Sequence, residues 1–306
     1  MILLLAPIVL FVYARPEHTI KTVEALAKNE LSKESKLFIF SDAPKGKKDI
    51  EKVEKVRNYI LSLSEKNWFE SVSVHMSTEN KGLANSVIEG VTSKIEEFGK
   101  VIVLEDDLVT SPDFLSYMNQ ALNYYEKNDD IWSICGYTFN INFPNGYSDD
   151  VYLAYRGGSW GWATWIDRWI QVDWEVKDYP KFKKDKVVRK KLNCGGRDMA
   201  DMLDAQMNGK IDSWAIRWCY TQSKLNKFTI YPIKSRVKNI GLDGTGTHSG
   251  KNNKFDVTIP SSGEKVNLSN PKLNNEILKK FKDYFGTKWD WRIIRLKRTI
   301  KKIMKV

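Results

Sequence analysis

Lys100-Val-Ile-Val-Leu-Glu105-Asp106-Asp107-Leu-Val-Thr-Ser111-Pro112-Asp113-Phe114 runs an apolar strand directly into consecutive carboxylates and then into a helix start. Val101 to Leu104 is too short for a helix and rich in β-branched residues, as expected of a strand buried on both faces of a parallel sheet. Ser111-Pro112-Asp113 reads as N-cap, N1 and an acidic first turn. Open α/β sheets collect ligands beyond the carboxyl ends of their strands, so Glu105, Asp106 and Asp107 are expected where a ligand sits. Three adjacent acids repel one another unless a cation holds them. An oxygen-only set suits Mg²⁺ or Mn²⁺, with the remaining positions left to water and substrate phosphates. The competing reading, a solvated turn, is weakened by an apolar strand immediately before the acids and a helix start just after.

Outward from this stretch the chain alternates strands and helices. Strands are expected at 7–13, 37–41, 72–76 and 101–104, and helices at 16–29, 50–63, 83–98 and 114–125. This βαβαβαβα order predicts an α/β fold, a mostly parallel central sheet flanked by helices on both faces with right-handed crossovers. There is no internal repeat or low-complexity segment, and neither GxGxxG after the first strand nor GxxxxGK[ST] anywhere, so neither Gly-rich phosphate loop explains the sheet. The first strand is followed by Ala14-Arg15-Pro16 and the second by Ser41-Asp42-Ala43-Pro44. That puts a guanidinium and a carboxylate on the same sheet edge as the acidic triplet, suitable partners for the carbonyls and N–H of a uracil ring.

The 306 residues are 42% hydrophobic, ample for a globular core. Cys135, Cys194 and Cys219 form no CxxC pair, which fits packing roles in a reducing, cytoplasmic setting rather than a disulfide framework or structural zinc. The apolar start carries no basic n-region, contains Pro7 and stops at Arg15, so it is expected to be the first strand rather than a leader or a membrane span. Of the +11 net charge, much falls in 288–306, where eight Lys or Arg face one Asp. There Trp289, Ile293, Leu296, Ile300, Ile303 and Met304 share one helical face and basic residues take the other. Such a helix suits either an anionic membrane surface at the inner face of the cell membrane or docking on the body of the protein. No nucleic-acid recognition motif accompanies the charge.

Trp160, Trp162, Trp165, Trp169 and Trp174 fall between residues 160 and 174. Pyranose C–H faces pack on indoles, while Trp162 and Trp169 are expected to be core. Gly157, Gly158 and Gly161 are expected to allow close backbone approach to a ligand. Residues 239–253 contain four glycines and read as a lid over a diphosphate, with His248 a candidate contact to phosphate or metal.

The segment from Val101 to Tyr117 resembles the metal-binding stretch of the N-acetylglucosaminyltransferase I family, whose GT-A fold carries a Glu-Asp-Asp version of the DXD motif before a Pro-Asp-Phe helix start. Further segments resemble that family in order: Ile131 to Tyr137, Trp160-Gly161-Trp162 with Trp169, Asp212-Ser213-Trp214, Tyr231 to Arg236, and Gly246-Thr247-His248-Ser249-Gly250. The likeness spans roughly residues 6–255. Two departures stand out: Ser213 replaces the second Asp of the family's Asp-Asp-Trp segment, and His248 and Ser249 are transposed.

The resemblance implies a GT-A domain at 1–255 followed by an extension at 256–306. It implies an inverting, metal-dependent transferase that moves a sugar from a UDP-sugar to a hydroxyl of a saccharide or glycolipid. Asp107 would be the direct ligand of Mn²⁺ or Mg²⁺, Asp106 a partner to metal-bound water or sugar, and Glu105 a ribose contact. Trp160, Gly161 and Trp162 would lie at the acceptor, and Asp212 would be the base. On its own chemistry Asp212 stands beside enough apolar bulk to predict partial burial, which raises a carboxylate's pKa; it equally suits the N-cap of a helix at 213–225. Asp201 and Asp204 are rival bases. Two other classes remain open at this stage: a metal-dependent sugar nucleotidyltransferase and a non-catalytic carbohydrate-binding protein.

Overall fold

A computed structural model describes residues 5–243 and 253–286. The strands are β1 (Ile8–Val12), β2 (Lys36–Ser41), β3 (Ser71–Met76), β4 (Lys100–Glu105), β5 (Leu108–Thr110), β6 (Ile131–Cys135), β7 (Val151–Ala154), β8 (Trp162–Trp165), β9 (Phe228–Pro232) and β10 (Val237–Asn239). The helices are α1 (Pro16–Ala27), α2 (Ile50–Leu61), α3 (Leu83–Phe98), α4 (Phe114–Tyr125), α5 (Ile166–Trp169), α6 (Tyr179–Lys184), α7 (Lys186–Leu192), α8 (Met199–Met207), α9 (Trp214–Lys224) and α10 (Asn275–Tyr284).

Eight strands form one sheet in the order β3-β2-β1-β4-β8-β6-β9-β7, and β10 pairs with β5 as a separate ribbon. The neighbours β3-β2-β1-β4 are mutually parallel, while β8 runs antiparallel to both β4 and β6, and β7 antiparallel to β9. The sheet is therefore mainly parallel, with two reversed strands in its second half.

Alternation along β1 shows why its sequence is continuously apolar. Ile8, Leu10 and Val12 pack with α1, α2, α4 and α10 on one face, whereas Val9 and Phe11 pack with α3, α8 and α9 on the other. A strand covered on both sides has no polar positions to spare. Among the described residues after 255, Ile277 and Phe281 of α10 pack against the first face, each 1% exposed.

The first half follows the sequence expectation closely, but the start of α4 does not. Ser111 is not its cap: Ser111 Oγ donates to Asp113 Oδ1 at 2.6 Å, and Asp113 occupies the N-cap position before Phe114 without bonding a helix N–H through its side chain. Asp113 is instead committed to Arg236, whose Nε donates to Asp113 Oδ2 at 2.7 Å. This buried ion pair fastens the β5–β10 ribbon to α4.

Candidate functional site

The chain leaves β1 for β2 and β3 on one side and returns to β4 on the other, so the order reverses between β1 and β4. Such a switch point opens a crevice beyond the strand ends. Arg15, three residues past β1, and Glu105 to Asp107, at the end of β4, meet there: Arg15 Nη1 donates to Asp107 Oδ2 at 2.8 Å.

The triplet divides its work. Asp106 is 8% exposed and turns toward β1 and α1, where its Oδ2 accepts the Tyr13 N–H at 3.2 Å and its carbonyl accepts Thr22 Oγ1 at 2.9 Å. Burial, then the charges of Asp107 and Asp106, push the Glu105 carboxyl up to about 8. Burial and then Asp107 raise Asp106 to about 7. Burial also raises Asp107, while the neighbouring Arg15 pulls it back down. Three acids thus share a site with too little compensating charge, and Arg15 offsets only part of it.

Among the described residues no group of three or more His, Cys, Asp or Glu side chains is arranged to hold a metal ion. The site therefore does not fit an all-protein cage. It does fit a hard cation held by one carboxylate together with phosphates and water, because the donors are carboxylate oxygens and their desolvation favours an added positive charge.

The ribbon closes over this point. Ile240 N–H donates to the Asp107 carbonyl at 2.9 Å, and Gly241 follows with its N–H held by Asn239 Oδ1 at 2.7 Å. Asp243 Oδ2 stands 3.2 Å from His18 Nε2, and Asp243 Oδ1 3.8 Å from Arg15 Nη2. His18 and Asp243 were not singled out from sequence. His18 had a signal, since a helix opening at Pro16 places its first turn at the same strand-end edge.

Asp42 lies at the end of β2, and its carboxylate organises the turn into α3. Oδ1 accepts the Ala43 and Lys81 N–H groups at 2.9 and 3.0 Å, and Oδ2 accepts Gly82 N–H and Asn80 Nδ2 at 3.0 and 3.1 Å. Both oxygens are thus engaged by the chain itself. Gly82 connects Asp42 to the candidate base, because a Cβ there would stand 3.1 Å from Asp212 Oδ2. Asp212 Oδ2 also accepts the Ala84 N–H in the first turn of α3, at 3.3 Å.

Asp212 is exposed rather than partly buried. It does not cap α9 either; Ser213 does, accepting the Ile216 N–H at 3.3 Å. The rival Asp204 is bound by Arg189 at 2.8 and 2.9 Å, and Asp201 lies 3.6 Å from the same guanidinium.

Trp162 pairs in register with Val103 and Cys135, so the Trp160 to Trp162 segment enters the sheet at the strand-end edge. Trp162 and Trp169 are core, 1% and 2% exposed. Trp162 stacks on Trp214 at 4.8 Å and approaches Trp218 at 5.7 Å. Trp160 is half-buried, edge-on to Tyr137 at 4.7 Å and to Phe255 at 5.6 Å. The glycines here admit protein side chains: a Cβ on Gly161, at φ +64°, would stand 2.7 Å from Val237 Cγ2, and one on Gly157 2.8 Å from Trp218. Close approach at these two positions serves internal packing. His248, most of the expected lid and the basic tail lie outside the described residues.

No family model matches the chain. A stretch of 101 residues is 29% identical to alpha-1,3-mannosyl-glycoprotein 2-beta-N-acetylglucosaminyltransferase of Arabidopsis thaliana, covering 33% of this chain and 22% of that protein. The match thus spans about one fifth of that relative's length. Among solved structures, residues 1–349 of S. aureus TarS superpose with a TM-score of 0.39 at 11% identity, over 76% of this chain and 59% of that one. The same protein in complex with UDP-GlcNAc gives 0.38 at 10% identity, over 76% and 57%. The mannosyltransferase PcManGT from Pyrobaculum calidifontis, in complex with GDP-Man and Mn²⁺, gives 0.35 at 10% identity, over 55% and 48%. At these scores the superpositions carry no inference about the activity of this chain.

Proposed function

We propose that this chain is a GT-A-fold, metal-dependent inverting glycosyltransferase that moves a sugar from a nucleotide-diphosphate sugar, a UDP-sugar by preference, to a hydroxyl of a saccharide or glycolipid. The observation that carries the reading is the Arg15–Asp107 pair at the β1/β4 switch point, within a desolvated Glu-Asp-Asp triplet. The short likeness to an N-acetylglucosaminyltransferase supports the same class. Residues 1–255 form the catalytic domain and 256–306 an extension whose basic end approaches an anionic membrane surface.

Asp107 would hold Mn²⁺ or Mg²⁺, Glu105 would contact the donor's ribose, and Asp106, with Oδ2 taken by the Tyr13 N–H, would meet metal-bound water or the sugar through its other oxygen. When bound, the cation supplies charge neutralisation on the departing diphosphate. Arg15 and Asp42 flank the base-binding end of the crevice, and His248 contacts the phosphates. The acceptor lies against Trp160, with Gly161, packed on Val237 and Phe114, and the core residue Trp162 supporting it from behind. Its hydroxyl oxygen attacks the anomeric carbon as the bond to the diphosphate oxygen breaks, and Asp212 takes the hydroxyl proton. The products are the glycosylated acceptor and a nucleoside diphosphate.

Calorimetric titration with uridine diphosphate tests the site. Binding is expected only with Mn²⁺ or Mg²⁺, and Asp107→Ala should abolish it with the fold intact. Metal-independent binding, or an Ala variant that binds as wild type does, would overturn the assignment. Release of pyrophosphate in place of a nucleoside diphosphate would instead indicate a nucleotidyltransferase.

A further inference from the structure

A cleft of about 420 Å³ opens beside α7 and α10, lined by Lys186, Arg189, Lys190, Asn193, Arg197 and Lys282. It is remote from the strand-end crevice: Lys191 Nζ of α7 donates to the Lys224 carbonyl at the far end of α9 from Asp212, a helix about 16 Å long. No carboxylate lines it. Arg189 is matched by Asp204 and Arg197 by Asp283, but among the described residues no carboxylate pairs with Lys186, Lys190 or Lys282. Asn193 Oδ1 accepts the Ala200 N–H at 2.8 Å, which leaves its NH₂ group rather than its carbonyl for a ligand.

The surroundings have the same sign. Residues 181–197 hold eight Lys or Arg against one Asp, and Lys181, Lys183, Lys184, Lys186 and Lys190 are exposed. Val187 stands among them at 77% exposure. Lys282, on the opposite wall, precedes by six residues the segment 288–306 with its eight cations. Unpaired ammonium groups around an acid-free concavity fit a phosphate group. An exposed aliphatic side chain next in sequence to Lys186 and a broad basic surround fit one that is presented by a lipid surface.

We propose that this cleft docks the phosphate headgroup of an anionic phospholipid, seating the α6–α7 face on a bilayer. The test is sedimentation of the full chain with phosphatidylcholine vesicles, with and without phosphatidylglycerol. Wild type should sediment only with the anionic vesicles. The K186Q/K190Q/K282Q variant should lose about a hundredfold in affinity, roughly fivefold per cation removed. K21Q/K28Q/K33Q, an equal neutralisation of exposed lysines on and just after α1, should change little. Should the cleft triple fail to fold, K190Q alone should lose about fivefold. Equal losses in the two triples would reduce the effect to bulk charge and overturn the proposal, as would failure of wild type to bind. Titration with inorganic phosphate is the second arm: saturable binding of phosphate without vesicle binding would mark a site for a free anion and overturn the lipid assignment. None of these readouts depends on glycosyl transfer.

Discussion

Gly241 lies on the carboxylate of Asp107: a methyl group at position 241 would stand 1.9 Å from Asp107 Oδ2 and 2.7 Å from Arg15 Nη1. The backbone leading into it is fixed, by Ile240 N–H on the Asp107 carbonyl and by the β5–β10 pairing. In Gly241→Ala the carboxylate therefore has to move. Transfer should fall by on the order of a hundredfold, the cost of displacing a reacting constellation by about 1 Å, and metal-dependent affinity for uridine diphosphate should fall with it. Thermal stability serves as the control. Unchanged transfer and nucleotide affinity would show that the contact does not govern the site.

The Asp113–Arg236 pair secures the same ribbon from its other end. Both side chains are about 95% buried, Ser111 Oγ donates to Asp113, and Arg236 Nη1 also donates to the Lys234 carbonyl. Asp113→Ala strands a guanidinium without its counter-charge and should cost about 3–5 kcal/mol, read as a lowered urea midpoint. Asp113→Ala with Arg236→Met removes both charges and should recover much of that loss. A single variant as stable as wild type would mean that the pair contributes nothing.

The elements legible in the sequence were those punctuated locally. Leu83–Phe98 and Phe114–Tyr125 appear with the expected bounds; the former is framed by Gly82 at its N-cap and by Gly99 in a left-handed C-cap at φ +76°. The apolar run of β4 and the acids after it were readable for the same reason. What was not readable depends on distant partners. Periodicity describes Trp162–Trp165 as a short apolar run but does not place it antiparallel between β4 and β6. Asp42 was visible as a strand-end carboxylate, whereas its commitment to Lys81 and Gly82 arises only when β3 delivers that turn beside it. Ser111 has the composition of a cap, yet Asp113 and Arg236, 123 residues apart, decide its role.

The base assignment is the most exposed of these readings, since the contacts of Asp212 are with the start of α3, at the Ala84 N–H and beside Gly82. Its Oδ2 accepts the Ala84 N–H at 3.3 Å, and Asn at the same position offers an equivalent acceptor, so Asp212→Asn should preserve the start of α3. It leaves α9 untouched as well, because Ser213 holds that cap. What Asn removes is the capacity to take a proton. If Asp212 deprotonates the acceptor hydroxyl, transfer should fall by roughly 10² to 10⁴-fold while affinity for the nucleotide barely changes. If its work is to hold α3, the substitution should be nearly silent in both rate and stability, because Asn and Asp serve about equally well at helix N-termini. Steady-state transfer, nucleotide affinity and thermal stability of this one variant separate the two roles. Retention of more than about half the wild-type rate would remove Asp212 from the mechanism.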